Sequence, residues 1–186
     1  MPHSAQPLAR LYRALDQLAS PERYLFTPAD LRALAPELSD QAYRALLTRA
    51  NREQRLQQVC RGLYLYHPAR PVPGLVLFHA AARLRAQAFN YISLETALSD
   101  CGVISQVPMN WITVMSSARS NIVNCGPWGT IEFINTRQRA AALAEQLAYD
   151  ARCHLWRASP ALALRDMRMA RRNLELIDWS IADELV

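Results

Sequence analysis

The sequence predicts a mixed α+β chain in three parts. Residues 1–68 form a small helical unit closed by a hairpin, residues 69–74 a linker, and residues 75–186 a second, mixed α+β domain. Three observations carry this reading. Two short capped helices stand directly before a glycine-containing hairpin. A proline-rich segment, Pro68-Ala-Arg-Pro-Val-Pro-Gly74, follows and reads as a stiff connection. Beyond it, helical stretches are mixed with β-rich runs at 111–115, 121–124 and 130–134.

The first helix is expected over 7–19, with Leu8, Leu11, Tyr12, Leu15 and Leu18 on one face and Ser20-Pro21 closing it. Thr27 then precedes Pro28. Thr27 serves as N-cap, Pro28 as the first helical residue, and Phe26 with Leu31 as a hydrophobic staple. That helix stops near Ala35-Pro36, because proline disfavours helix at the residue before it. Ser39 repeats the device. It caps a helix from Asp40 to about Arg52, with Asp40 at the positive end and Leu38 placed to staple to Tyr43.

On this third helix Tyr43, Leu46, Leu47 and Ala50 fall at i, i+3, i+4 and i+7 and form the buried face. Gln41, Ala45, Thr48 and Arg52 lie opposite, flanked by Arg44 and Arg49. Two strands follow, Leu56–Cys60 and Leu63–Tyr66, joined by Arg61-Gly62, where glycine supplies the positive φ of a two-residue turn. Helix, capped helix, capped helix and hairpin in this order predict a winged helix-turn-helix. In such a module Gln41, Arg44, Ala45 and Thr48 would meet base edges, and Arg49, Arg52 and the hairpin-tip Arg61 would hold phosphates. Arg10, Arg13 and Arg23 are candidates for further phosphate contacts.

Charge agrees with this placement. The chain carries 21 basic side chains, all arginine, against 16 acidic ones, for a net +5. Residues 1–70 hold 10 Arg and 6 acids, residues 71–136 hold 3 and 3, and residues 137–186 hold 8 and 7. The excess therefore sits in the first unit, where counterion release would drive binding to double-stranded DNA. No run of about 18 apolar residues suggests a membrane span. The N-terminus lacks the pattern of a signal peptide, so a cytoplasmic chain is expected. Cys60, Cys101, Cys125 and Cys153, with His3, His67, His79 and His154, show no metal-ligand spacing. Free thiols, no metal and no cofactor are expected.

In the second domain an alanine-rich helix is expected over 75–88 and a shorter one from Ser93, as its cap, to about Gly102. Strands follow at 111–115, 121–124 and 130–134, the last two joined by Gly126-Pro127-Trp128-Gly129. The remainder reads as helix over 137–149, a short strand at 154–156, a helix capped by Ser159 running to Met169, and a terminal helix over 174–185. Tyr91, Leu94, Leu98 and Phe133 read as core, and Gly102 and Gly129 as turn residues needing positive φ. Arg165, Arg168, Arg171 and Arg172 read as a basic, solvated stripe with local pairs to Asp166 and Glu175.

The stretch Tyr91-Ile-Ser-Leu-Glu-Thr-Ala-Leu-Ser-Asp-Cys-Gly102, followed by Val103-Ile104, resembles the central motif of the AbiEi antitoxins of abortive-infection (type IV) toxin–antitoxin systems. Ile112-Thr113-Val114 and Gly129-Thr-Ile-Glu-Phe133 resemble the strands that follow it in that family. Ala158-Ser-Pro-Ala-Leu-Ala-Leu-Arg-Asp166 resembles a later family stretch, and Arg61-Gly-Leu-Tyr64 its wing. The match runs over roughly residues 24 to 175. The resemblance implies a repressor that binds repeats in the promoter of its own operon through the winged helix. It also implies an antitoxin domain behind that module and a nucleotidyltransferase-like toxin as partner. With Val186 soon after the Asp166 helix, repression is the expectation it supports most directly.

An enzyme is not expected, and no catalytic residue is assigned. There is no lysine for a PD-(D/E)xK nuclease, no D-x-D or glycine-serine turn for nucleotidyl transfer, and no G-x-x-x-x-G-K, H-E-x-x-H or G-x-S-x-G. Two other readings stay open at this point: a stand-alone winged-helix regulator without a toxin partner, and a protein-interaction module. The sequence does not specify an oligomeric state.

Overall fold

The computed structural model describes residues 7–105, 108 and 110–185, and the chain divides into two compact units, Met1–Val76 and Leu77–Val186. Both mix helix and sheet. His3 lies outside the described residues.

In the first unit, α1 (Pro7–Leu18), α2 (Pro28–Ala33) and α3 (Asp40–Arg52) pack around one core. A three-stranded sheet of β1 (Leu25–Phe26), β2 (Leu56–Cys60) and β3 (Leu63–Tyr66) completes the unit, in the order β1-β3-β2. The caps form as expected. Thr27 Oγ1 accepts from Asp30 N at 3.2 Å, and the Asp30 carboxylate accepts from Thr27 N at 2.7 Å, a closed capping box. Ser39 Oγ accepts from Ala42 N at 3.3 Å. Phe26, Leu31, Tyr43, Leu46, Leu47 and Ala50 meet Leu11 and Leu15 in the core, with Leu38 packed at its margin. Thr27→Ala would open both bonds of the box. We expect a loss of about 1–2 kcal/mol, read as a fall of about 5 °C or more in Tm.

Tyrosines bind the helices to the rest of this unit. Tyr43 donates to Pro28 O at 2.6 Å, and burial raises its phenol pKa to about 12. Tyr12 donates to Glu53 at 2.8 Å, while Arg55 stacks 4.4 Å from the Tyr12 ring centroid and donates to Tyr66 Oη at 2.9 Å. Strand β1 has no counterpart among the expected elements. Two residues are too short to show alternation, yet they pair with β3 as Leu25↔Leu65 and Phe26↔Tyr64.

The connection after β3 folds into two short 3-10 turns, His67–Ala69 and Pro73–Leu75, with Arg70 at φ +53°.

The second unit is a six-stranded mixed sheet with helices. Its elements are α4 (Val76–Leu84), which begins at the unit boundary, β4 (Asn90–Ile92), α5 (Leu94–Asp100), β5 (Trp111–Ser116), β6 (Asn121–Asn124), β7 (Thr130–Asn135), α6 (Ala140–Leu143), β8 (Leu147–Asp150), β9 (Leu155–Ala158), α7 (Pro160–Met169) and α8 (Trp179–Leu185). Strand order is β6-β7-β5-β4-β9-β8, with β5/β7 and β4/β9 parallel and the other pairs antiparallel. Tyr91, Leu94, Leu98 and Phe133 are core residues, as expected. Gly102 and Gly129 take φ of +82° and +116°. A Cβ on Gly129 would stand 2.0 Å from Asn110 O, so only glycine fits there.

Several expectations for this unit are corrected. Strand β4 carries no periodic signal, because all three of its residues are buried and leave no alternation to read. The expected helix at 137–149 is only α6 and a 3-10 turn. Residues Leu147–Asp150 instead pair with β9 and form the sheet edge, so strand pairing overrides local helix propensity. The 75–88 helix ends at Leu84. The terminal helix breaks at Ile177, which bridges to Ile104 while Asp178 N donates to Val103 O at 2.9 Å.

Ser93 stands at the expected cap position, but its side chain makes no capping bond. It donates to Asp166 at 2.7 Å instead, and Leu94 carries the turn at φ +57°. Asp166 is fully buried and also accepts from Tyr91 Oη at 3.0 Å and Gln138 Nε2 at 3.0 Å. Burial pushes its carboxyl pKa up, against the pull of these three donors and of Arg165.

The expected basic stripe does not form as one face. Arg172 lies beyond the end of α7 and pairs with Glu95 at 2.6 Å and, through both terminal nitrogens, with Glu132 at 2.9 and 2.8 Å. Arg165 donates to Gln138 at 2.8 Å, and Arg168 stacks on Trp179. Asp166 faces inward to Tyr91 and Ser93, so it is not the surface partner expected for the arginines around it.

Candidate nucleic-acid interface

Helix α3 buries Tyr43, Leu46, Leu47 and Ala50, which turns the opposite face outward. Gln41, Arg44, Ala45, Thr48, Arg49 and Arg52 are all exposed there, and Arg61 is exposed at the tip of the β2–β3 hairpin. Gly62 at φ +87° makes the tight turn behind Arg61. One helix face and one hairpin tip thus carry all seven predicted side chains.

Their surroundings separate scaffold charges from free ones. In this unit Arg10 pairs with Glu37, Arg32 with Asp40 at 3.5 Å, and Arg55 with Asp16 at 3.4 Å. Among the described residues, Arg44, Arg49, Arg52 and Arg61 make no ion pair. Arg10 is therefore engaged by Glu37 rather than free for a ligand. Arg13 reaches back to Ala9 O at 3.4 Å. Four uncompensated guanidiniums leave a local positive field on α3 and the hairpin.

The arginines do not form a single cluster. Arg44 and Arg49 stand about 140° apart around the helix. Arg44 is on the side of the hairpin and Arg49 on the far flank. Beside Arg44, an open groove of about 400 Å³ runs between α3 and the two strands, lined by Arg44, Leu47, Thr48, Asn51, Gln58 and Tyr64. Asn51 Oδ1 accepts from Gln58 N at 2.8 Å, which ties the last turn of α3 to β2. Thr48 Oγ1 donates to Arg44 O at 3.0 Å.

Asn51, Gln58 and Tyr64 are not among the residues the sequence singles out. Asn51 has a signal, since it follows Thr48 by three residues and shares its side of the helix. Gln58 and Tyr64 have none. They become cross-strand neighbours through a register that shifts between Gln58 and Cys60, a bulge that places Val59 and Cys60 both inside.

Cys60, Cys125 and Cys153 are buried and Cys101 half-buried, all as free thiols. No described helix is long and apolar enough to cross a membrane. No family model matches the sequence, and no curated protein matches it.

Proposed function

We propose that the first unit is a winged helix-turn-helix that binds double-stranded DNA, with α3 in the major groove and the β2–β3 hairpin as the wing. One observation carries the reading. Arg44, Arg49, Arg52 and Arg61 lie on exposed surface without ion-pair partners, whereas Arg10, Arg32 and Arg55 of the same unit are paired. Unpaired guanidiniums on a helix face and an adjoining hairpin tip suit a polyanion that both elements touch. Gln41, Ala45 and Thr48 then face base edges.

The gene controlled is, on this reading, the chain's own operon, and the second unit is an antitoxin domain directed at a nucleotidyltransferase-like toxin. The AbiEi resemblance supports this part. Two stretches that carry it, around Tyr91-Ile-Ser and around Asp166, are 73 residues apart in sequence at Ser93 and Asp166 yet joined by a 2.7 Å hydrogen bond. No catalytic role is proposed. A mobility-shift titration of the upstream DNA at several salt concentrations tests the first part. Binding must weaken steeply with salt, and no binding at low salt would rule it out. Co-expression with the adjacent reading frame, scored for growth rescue, tests the second.

A further inference from the structure

The groove beside Arg44 has an unusual chemical make-up. Leu47 supplies its apolar floor, and none of its other lining residues is a carboxylate. Arg44 brings a permanent positive charge. The Asn51 carbonyl is already occupied by Gln58 N, so what Asn51 has left to offer is its amide NH₂. Gln58 is exposed and its side-chain amide is free to turn inward. Tyr64 is half-buried, and burial raises its phenol pKa, so it carries its proton at neutral pH and can donate. Thr48 has its hydroxyl proton directed at Arg44 O and adds a wall rather than a donor.

A base edge presents donors and acceptors together, whereas a phosphodiester oxyanion presents acceptors only, with one negative charge. One cation with three neutral donors and no carboxylate matches the second. We propose that this groove seats one backbone phosphate of bound DNA, held by Arg44, Asn51, Gln58 and Tyr64 between α3 and the hairpin. The proposal rests on the DNA-binding reading above. It assigns Arg44 to the backbone rather than to a base. A phosphate gripped from both elements would also set the angle at which α3 enters the groove.

The test uses the full chain with two labelled duplexes of equal length, one from the DNA upstream of its own reading frame and one of random sequence. Gln58→Ala and Tyr64→Phe remove neutral donors, and circular dichroism checks their fold; exposed Gln58 gives a usable variant even where Tyr64 does not. Each should weaken binding about 3–10-fold on both duplexes, with the salt slope unchanged. Single methylphosphonate linkages are then scanned through the upstream duplex. At one linkage the neutral group should weaken the wild type several-fold and leave the Gln58→Ala/Tyr64→Phe double variant unaffected. Wild-type affinity in the variants, or a loss confined to the upstream duplex, would overturn the phosphate seat while leaving DNA binding intact. If the wild type binds neither duplex, the DNA-binding reading fails and the seat with it.

Discussion

Asp166→Ala is expected to lower stability by about 4 kcal/mol, at the upper end of what a single side-chain truncation costs. Asp166 is fully buried and accepts from Tyr91, Ser93 and Gln138. Tyr91 and Ser93 are themselves buried. Truncation leaves these donors without an acceptor, at about 1–3 kcal/mol for each buried group left unpaired. It also leaves Arg165 without the nearby carboxylate. In a thermal melt the transition should fall by about 10 °C or more. A shift of only a degree or two would show that water replaces the carboxylate at little cost.

The same residue predicts a pH effect with a definite sign. Burial raises the folded pKa of Asp166 above its ordinary value. Taken alone, this group makes the fold bind its proton more tightly than the unfolded chain does. Its stability contribution is therefore fully present below the unfolded pKa and is lost as pH rises through the folded value. Asp166→Asn resembles the protonated carboxyl. It should cost less than alanine and flatten this part of the profile. An unchanged slope in chemical denaturation between mildly acidic and neutral pH would count against it.

The second large effect concerns function. Arg44→Ala combined with Arg61→Ala should weaken binding to the upstream DNA by about 100-fold at physiological salt, at roughly 1–3 kcal/mol per arginine. The plot of log affinity against log salt should also become shallower by about 1–2 units, because each lost guanidinium releases one counterion fewer. Neither side chain has an ion pair or packs in the core, so the fold should survive and the loss can be read as lost contact. Arg10→Ala is the control. Its guanidinium is paired with Glu37, and DNA affinity should barely change. Equal affinity and equal slope in wild type and the double variant would rule out the proposed interface.

The first unit is largely legible in the sequence because its signals are local. Thr27-Pro28, Ser39-Asp40 and Arg61-Gly62 each act within about four residues, and each does in the fold what its chemistry dictates. The outward face of α3 follows from helical period alone. The groove does not, because it depends on how far the hairpin leans toward Arg44 and on the bulge at Gln58. In the second unit local signals compete with pairing between distant segments. Ser93 looks like a cap until Asp166 arrives from 73 residues away. The alanine-rich 137–149 segment looks helical until β9 captures Leu147–Asp150.

What the sequence by itself determined is the class, mixed α+β, and the run of capped helices and hairpin that places the exposed arginines. Caps, turns and helical periodicity are properties of adjacent residues and survive whatever the rest of the chain does. What only the tertiary structure decided is which charges are free and which buried polar groups are neutralised. Arg10 and Arg44 read alike in sequence, and only packing gives Glu37 to one and an open groove to the other. The reason is physical: an ion pair or a buried hydrogen bond needs a partner within about 3–4 Å, and the fold, not the order of residues, sets that distance.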